Sequence, residues 1–350
     1  MKFRILQNFL LFILLIVPVV VQAVIPVGYY NNAEGKKDAE LKTALFTIIR
    51  PHTKLDYYPL STTFRTTDWN PNGYFWDMYS SIQRSSWTGL NREHNLPKSW
   101  FGVSSEQVDN YEISTDVHNL YPSDATANSA KSNYPPGEVG TTSFDNGVFQ
   151  VGTSNFTGYN GTVFEPADQY KGDFARDYMY MVTCYEDYSA VWQSLGTSSV
   201  LSRNTYPVFT TYGVNLLMKW HRNDPVSEKE INRNDAVYSL QHNRNPFIDH
   251  PELAEYIWGK YKGYAWSKDF EEPENDDNFY ASYTPQTNLL HVNLKKPENA
   301  VFYIVTMSGI ECLSGTFNAS GNVNVQLKKG IYVLKVYTKT TRKTQKMVIY

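Results

Sequence analysis

The sequence has only two cysteines in 350 residues, Cys184 and Cys312, and they lie far apart along the chain. A disulfide-stabilised framework is therefore excluded, and no bridge is expected between these two because they fall in different predicted domains. Cys184 lies in the largely apolar segment YMYMVTCY, which favours a small buried side chain over a reactive thiol.

Positive charge is also scarce. The 35 Asp and Glu residues outnumber the 32 Lys and Arg residues, so the formal net charge is −3 and the pI is near 6.2. Between residues 91 and 176 there are eleven acidic side chains and only five Lys or Arg. This balance argues against a protein that binds nucleic acid through a broad basic surface.

Long apolar runs are missing after residue 23, so no later segment is predicted to span a membrane. Residues 1–23 combine a positively charged start, an apolar run and a small residue, Ala23, at the end. This pattern predicts a secretory signal peptide that is cleaved on export. A membrane anchor is the alternative, but polar residues and Pro18 interrupt the run. We expect a secreted or cell-surface protein with no stable membrane span after cleavage.

The remaining chain divides near residue 266. The segment KDFEEPENDDN carries six acids against one lysine and has no periodic apolar residues, which predicts a linker over 266–283. Short alternating runs beyond it predict a small all-β sandwich domain over 284–350. We expect the catalytic domain to occupy residues 24–265.

Three helices are predicted in the first domain. Apolar residues recur at helical spacing between Asp38 and Arg50, and a third helix is expected over residues 173–187. The second helix is predicted to begin at Ser227, where Glu230 completes a capping box. The fold class is therefore predicted as α+β, with a helix-rich domain followed by the β domain.

One short segment, NREHNLPKSW, places Glu93 beside His94. Neighbouring side chains of a strand point to opposite faces, so both reach one site only if the strand bends. A neutral imidazole suits a general base that takes a proton from water, and a hard cation stabilises negative charge on a phosphate and on a leaving oxygen. The pair therefore indicates metal-assisted phosphodiester hydrolysis.

A second oxygen ligand is expected downstream, because Mg²⁺ takes only one or two protein ligands and keeps waters for the rest. Asn128 supplies it, in the short helix-compatible run DATANSAKSN between Pro122 and Pro135. A strand with Glu93 and His94, a turn, and a short helix with Asn128 would form a ββα finger around one ion.

The chain resembles the endonuclease I family of secreted, non-specific nucleases, which belongs to the His-Me finger group with ββα-metal sites. The resemblance covers about residues 28–262 and rests on motifs in the same order. These motifs are NREHNLPKSWFG, DVHNLYPSDATANSAKSNYPPGEV, KGDFARDYMYM and DPVSEKEINRNDAVYSLQHNRNPFIDHPELAEYIW.

The resemblance implies a role for each matched residue. Glu93 and Asn128 match the ligands of Mg²⁺, with Mn²⁺ or Ca²⁺ as alternatives, and His94 matches the general base. Arg176 and Arg244 are matched positions to which we assign phosphate contacts. The supporting residues are Asp116 and His118, expected to hold the finger in shape, and Lys131, where the family more often has arginine.

Simpler roles stay open for several of these residues. His118 beside Asp116 suits a hydrogen-bonded structural histidine, and Arg244 suits an arginine that pairs with an acid. Two other functions also stay open: a secreted nucleic-acid-binding or adhesive protein with an inactive finger, and a metal phosphodiesterase for small substrates. A zinc protease is disfavoured because the sequence has no His-Glu-x-x-His motif.

The C-terminal segment resembles the sorting domain of the type IX secretion route. GIYVLKV is the most specific part of a match over about residues 284–350. The resemblance implies the type IX secretion machinery as a partner, beside DNA and RNA as substrates. An accessory β-sandwich that binds carbohydrate or stabilises the enzyme is the alternative.

Overall fold

A computed structural model describes residues 25–104, 106–192, 197–268, 279–284, 287–294, 299–306, 310–318, 320–337 and 342–349. The predicted signal peptide and most of the predicted linker lie outside these ranges. The α-helices are α1 (Asp38–Ile49), α2 (Leu60–Thr67), α3 (Ala125–Lys131), α4 (Lys171–Cys184), α5 (Thr197–Val200), α6 (Thr211–Asn223), α7 (Glu228–Gln241), α8 (Pro246–Asp249) and α9 (Leu253–Ile257). Short 3-10 helices cover Asn31–Ala33, Lys98–Trp100, Val108–Asn110, Glu112–Ser114, Val117–Asn119, Asp168–Tyr170 and Glu186–Tyr188.

The helices follow the sequence patterns that predicted them. In α1, Leu41, Leu45 and Ile49 are fully buried at four-residue spacing, so they form one core-facing stripe. The helix α7 begins with the predicted capping box, in which Ser227 and Glu230 each bond the other's backbone N–H. Residues 172–184 of α4 are all buried, which places α4 at the centre of the first domain.

The site region is built on a strand pair and a short helix. Strand β1 (Leu90–His94) pairs antiparallel with β2 (Leu120–Asp124), and α3 follows β2 without a gap. Asp124 makes that sharp transition possible, because its carboxylate accepts hydrogen bonds from the backbone N–H groups of Thr126 and Ala127. The helix α3 then packs back against both strands.

A second small sheet in the first domain was not predicted. It consists of β3 (Val139–Asp145), β4 (Gln150–Ser154) and β5 (Thr162–Glu165), all antiparallel and in sequence order. The segment that forms β3 is mostly exposed and rich in small polar residues, so it has no clear alternation of apolar and polar side chains.

The C-terminal region is all-β and antiparallel, as predicted. Its strands form one continuous sheet in the order β12-β11-β8-β9-β10-β7-β6, rather than two separately paired sheets. Gln345 on the last strand donates a hydrogen bond to the Ala281 carbonyl on the first, at 2.8 Å, so the two ends of the sheet meet. The strands are β6 (Phe279–Thr284), β7 (Leu289–Leu294), β8 (Asn299–Thr306), β9 (Glu311–Asn318), β10 (Ser320–Asn324), β11 (Gly330–Tyr337) and β12 (Arg342–Ile349).

The mixed helix and sheet class is thus confirmed, and the β region begins at Phe279 instead of residue 284. Both cysteines are free, as expected from their separation. Within the described ranges, no helix is both long enough and apolar enough to cross a bilayer.

Candidate active site

Strand β1 ends with the polar residues Arg92, Glu93 and His94. The register with β2 is regular through His94, which lies opposite Leu120. The bend that we expected between Glu93 and His94 is therefore absent. Because side chains alternate along a strand, Glu93 faces one side of β1 while Arg92 and His94 face the other.

The His94 imidazole is buried and held by one backbone group. Its Nε2 lies 2.9 Å from the carbonyl oxygen of Ser114, and since a carbonyl can only accept, Nε2 carries the proton. The Tyr57 ring stacks on the imidazole with centroids 6.2 Å apart, and the Phe101 ring contacts it edge-on at 5.7 Å. Nδ1 has no hydrogen-bond partner among the described residues, so it is the nitrogen left to accept a proton.

Burial keeps this imidazole neutral. Loss of solvation lowers the pKa of His94 to about 3, the Lys98 charge acts in the same direction, and the Ser114 carbonyl opposes both. At neutral pH the imidazole therefore carries a single proton, on Nε2, and Nδ1 is the nitrogen with a free lone pair.

On the opposite side of β1, the Glu93 carboxylate pairs with Lys131. The Lys131 ammonium lies 2.6 Å from Glu93 Oε1 and 3.3 Å from the His94 carbonyl oxygen, and both side chains are almost completely buried. Burial raises the pKa of the Glu93 carboxyl, although the Lys131 charge acts the other way. Lys131 therefore ties the end of α3 directly to the predicted metal ligand.

Asn128 lies one helical turn before Lys131 in α3 and is partly buried. Residues three apart share a helix face, so the Asn128 amide is on the face that Lys131 directs toward β1. A carboxylate and an amide oxygen suit a hard cation that keeps most of its waters. No group of three or more His, Cys, Asp or Glu side chains is placed to hold a metal in the described part of the chain, as a structural zinc site would require.

Asp116 and His118 lie behind the site and connect it to the core. The Asp116 carboxylate accepts hydrogen bonds from Tyr180, Tyr185 and Gln241 and from the backbone N–H of His118, all between 2.7 and 2.9 Å. His118 packs on the Tyr180 ring, with centroids 4.4 Å apart, and its Nε2 lies 3.3 Å from the Asn243 carbonyl oxygen. These contacts favour a structural role for Asp116 and His118.

The sequence model of the endonuclease I family matches residues 38–252, which is more than half of the chain. The chain belongs to the endonuclease I family. An extracellular ribonuclease from Bacillus amyloliquefaciens is 36% identical over 241 residues, which is 66% of this chain and 78% of that protein. An extracellular ribonuclease from Bacillus subtilis (strain 168) is 36% identical over 245 residues with the same coverage of both chains.

A more distant relative is Endonuclease-1 from Buchnera aphidicola subsp. Acyrthosiphon pisum (strain APS). It is 26% identical over 137 residues, which cover 39% of this chain and 45% of that protein. The endonuclease I match includes β1, β2, α3 and all the predicted site residues, and it ends before the C-terminal β region.

Within the endonuclease I domain, the structure places Arg176 in the interior and not on a substrate surface. Its guanidinium makes two hydrogen bonds to Glu230, at 2.5 and 2.9 Å, and a third to the Asp224 carbonyl at 2.8 Å. The side chain is fully buried. A phosphate contact would require the loss of these bonds, so the predicted role in phosphate binding is revised to a structural one.

Arg244 has the same kind of environment. Its guanidinium pairs with Asp249 through two nitrogens, at 2.7 and 2.8 Å, and with Asp235 at 2.6 Å. The side chain is 1% exposed, so its charge is neutralised inside the protein. The simpler reading of Arg244, an arginine that pairs with acids, fits this structure and replaces the predicted phosphate contact.

Sequence reasoning missed the polar network directly behind His94. Asn95 donates a hydrogen bond of 2.8 Å to the buried carboxyl of Asp177. Burial raises the pKa of Asp177 to about 7, with the Arg233 charge acting against that rise. Asn95 and Asp177 are 82 residues apart, and no spacing pattern connects them in the sequence.

Proposed function

We propose that the protein is an exported, metal-dependent endonuclease that hydrolyses phosphodiester bonds of DNA and RNA without sequence preference. One observation carries the proposal: a buried neutral imidazole, oriented by a carbonyl, lies next in the chain to a buried carboxylate inside an endonuclease I domain. The proposed finger comprises β1, β2 and α3, with Glu93 and Asn128 as metal ligands on one side of β1 and His94 as base on the other. Because His94 is the last residue of β1, a substrate would have to reach both groups around the end of the strand.

In the proposed reaction, His94 acts through Nδ1. The Ser114 carbonyl holds the proton on Nε2, so Nδ1 takes the proton from a water molecule as its oxygen attacks the phosphorus. The bond from phosphorus to the leaving oxygen then breaks, the leaving oxygen takes up a proton from solvent, and Nδ1 releases its proton to solvent. Tyr57 and Phe101 pack around the ring and limit its rotation, which keeps the base in one orientation.

Glu93 and Asn128 would hold a divalent cation, proposed as Mg²⁺, with Mn²⁺ or Ca²⁺ as alternatives. When bound, that cation supplies stabilisation of negative charge on the phosphate and the leaving oxygen. Lys131 pairs with the Glu93 carboxylate, so a bound cation would have to compete with its ammonium for Glu93 Oε1. With Arg176 and Arg244 buried in ion pairs, neither is required for the reaction in this proposal.

The names of the relatives support the substrate class and export. Two relatives bear the name extracellular ribonuclease, which supports RNA as a substrate and supports secretion, and a third bears the name Endonuclease-1, which supports cleavage within a nucleic acid chain. The small number of Lys and Arg side chains around the site predicts few contacts with phosphates. Such contacts carry no base information, which suits degradation without sequence preference.

The direct test is to incubate the purified protein with supercoiled plasmid and with RNA, in Mg²⁺ or in EDTA. We expect smearing of both substrates in Mg²⁺ and none in EDTA. Binding to plasmid without cleavage would instead identify a nucleic-acid-binding protein with an inactive finger. Cleavage of bis(p-nitrophenyl) phosphate but not of plasmid or RNA would identify a phosphodiesterase for small substrates.

The C-terminal region is proposed as a type IX sorting domain. It lies outside the endonuclease I match and forms its own antiparallel sheet with its own apolar core, which supports a function separate from catalysis. Deletion of residues 284–350 in the source cell should then leave the nuclease inside the outer membrane. Unchanged release into the medium would reject the sorting role and favour an accessory domain.

A further inference from the structure

Two tyrosines and an arginine lie against the proposed base. The Tyr57 ring is nearly parallel to the His94 imidazole, with 11° between the planes. The Arg92 guanidinium carbon lies 4.4 Å from the centre of the Tyr57 ring and 5.8 Å from that of Tyr58. Since Arg92 and His94 are two residues apart on β1, they lie on the same side of the strand.

Arg92 has no carboxylate partner within the described residues. Its Nη1 makes one long hydrogen bond, 3.4 Å, to the Tyr58 carbonyl, and its Nε is buried without a partner. Six arginines elsewhere in the endonuclease I region are neutralised by ion pairs: Arg50, Arg84, Arg176, Arg222, Arg233 and Arg244. The neighbouring Lys98 is also paired, with Asp109.

An arginine without an anion partner still has most of its five N–H groups to offer. The aromatic face of Tyr57 holds its guanidinium in place by a cation–π contact, so the group is positioned before any ligand arrives. A phosphate oxygen is the partner that such a group prefers, because the planar fork matches phosphate geometry. This is the charge that Arg176 and Arg244 were predicted to supply.

Tyr58 gives the same surface an exposed aromatic ring. Its side chain is 76% exposed, in contrast to the partly buried Tyr57 beneath it. The two rings meet edge-to-face, with centroids 5.9 Å apart, so Tyr57 supports Tyr58 from one side. An exposed ring beside an unpaired cation is the combination with which proteins bind single-stranded nucleic acid.

We propose that Tyr58 and Arg92 form a subsite for an unpaired nucleotide beside the phosphodiester bond that is hydrolysed with His94 as the base. The base stacks on Tyr58, and Arg92 contacts a phosphate of the same strand. The inference rests on the proposed nuclease function and adds a substrate preference to it. In a duplex both faces of each base are covered by its neighbours, so the subsite favours single strands and unpaired loops over intact duplexes.

The test is binding of a fluorescent 12-nucleotide DNA, single-stranded or paired, measured by anisotropy in EDTA so that hydrolysis is stopped. Tyr58→Ala should weaken single-strand binding on the order of 10-fold, because stacking on one ring is lost. Tyr58→Phe keeps the ring and should bind like the wild type. Duplex binding should change far less in both variants.

Arg92→Gln is tested through the salt dependence of the same binding. Loss of one phosphate contact should make the slope of log Kd against log salt shallower by about 0.7 for a single strand. Arg65→Gln is the matched control. Arg65 is an exposed arginine that stacks on Trp69 and Phe75 and makes no contact with Tyr57, Arg92 or His94 among the described residues. Thermal melting checks that every variant is folded.

The KM for cleavage of single-stranded DNA in Mg²⁺ provides a second readout. Together the measurements separate the proposed subsite from the proposed nuclease function. If the wild type cleaves nucleic acid but Tyr58→Ala and Arg92→Gln leave Kd, salt slope and KM unchanged, this inference is wrong and the nuclease function stands. An equal loss in Arg65→Gln would also overturn it. If the wild type neither binds nor cleaves, the proposed function fails first.

Discussion

The Nε2 atom of His94 lies 2.9 Å from the carbonyl oxygen of Ser114, twenty residues further along the chain. That carbonyl belongs to the last residue of the short 3-10 helix Glu112–Ser114. The contact fixes the tautomer of the proposed base through the backbone, so no side-chain substitution at Ser114 removes it directly. The role of the site must therefore be tested at the imidazole itself and at the residues around it.

Substitution of Asn128, the proposed metal ligand on α3, tests cation binding. Asn128→Ala removes one proposed oxygen ligand and leaves the Glu93–Lys131 pair intact, so Mg²⁺ affinity measured by calorimetry should fall at least about 10-fold. Asn133→Ala is the control, because that exposed amide follows the same helix and, within the described ranges, bonds only with Ser99 and Ser132. Equal affinities in the wild type and Asn128→Ala would remove Asn128 from the site.

Lys131 should have opposite effects on stability and on cation affinity. Lys131→Met leaves the buried Glu93 carboxylate unpaired, so in EDTA the free energy of unfolding should fall by about 3–5 kcal/mol in urea titrations. The same variant should bind Mg²⁺ more tightly than the wild type, because the ammonium no longer competes for Glu93. Lys131→Arg keeps the charge and should behave like the wild type. Weaker Mg²⁺ binding by Lys131→Met would contradict this account.

Substitution of Arg244 should affect folding and not substrate affinity. Arg244→Gln leaves Asp235 and Asp249 without their cation, which should cost about 3–5 kcal/mol of unfolding free energy. The salt slope of nucleic acid binding by the folded variant should match that of the wild type. A shallower slope at unchanged stability would restore the phosphate contact that we predicted from the sequence.

A buried histidine away from the site links stability to pH. Burial lowers the pKa of His221 to about 4, with the Arg176 charge adding to the effect. The unfolded chain takes up this proton near pH 6.5 and the folded chain does not, so stability falls as the pH drops from 6.5 toward 4.

His221→Gln removes that proton uptake from both states. The stability of the wild type relative to the variant should therefore fall by about 1.4 kcal/mol for each pH unit within this window. Urea denaturation at pH 7.5, 6 and 5 measures the difference in unfolding free energy between the wild type and the variant. Other titrating groups contribute equally to both proteins, so their effects cancel in this difference. A constant difference across this range would show that folding does not shift the pKa of His221.

Local patterns in the sequence predicted local structure well. The apolar stripe of α1 and the capping box of α7 depend on residues within four positions of each other, and both are observed. The β1 strand and the α3 helix were predicted from the same kind of short-range signal. The sheet β3–β5 was not, because its strands depend on pairing with each other more than on their own alternation.

The partners of buried charges could not be predicted in the same way. Arg176 pairs with Glu230 from 54 residues away, and that glutamate is also the capping residue of α7. The motif around Arg176 gives no sign of this partner, since only the tertiary fold brings α4 and α7 together. The sequence likewise places Arg92 next to Glu93 and His94. It does not show that Arg92 lacks an acidic partner within the described residues, which only the fold reveals.

The most direct test of the central claim is the single-turnover rate of phosphodiester hydrolysis by His94→Ala at saturating Mg²⁺. Loss of a general base should lower that rate by about 100- to 10,000-fold while Mg²⁺ affinity and the folded state remain, and added imidazole should restore part of it. A His94→Ala variant that cleaves plasmid at the wild-type rate would show that His94 is not the base.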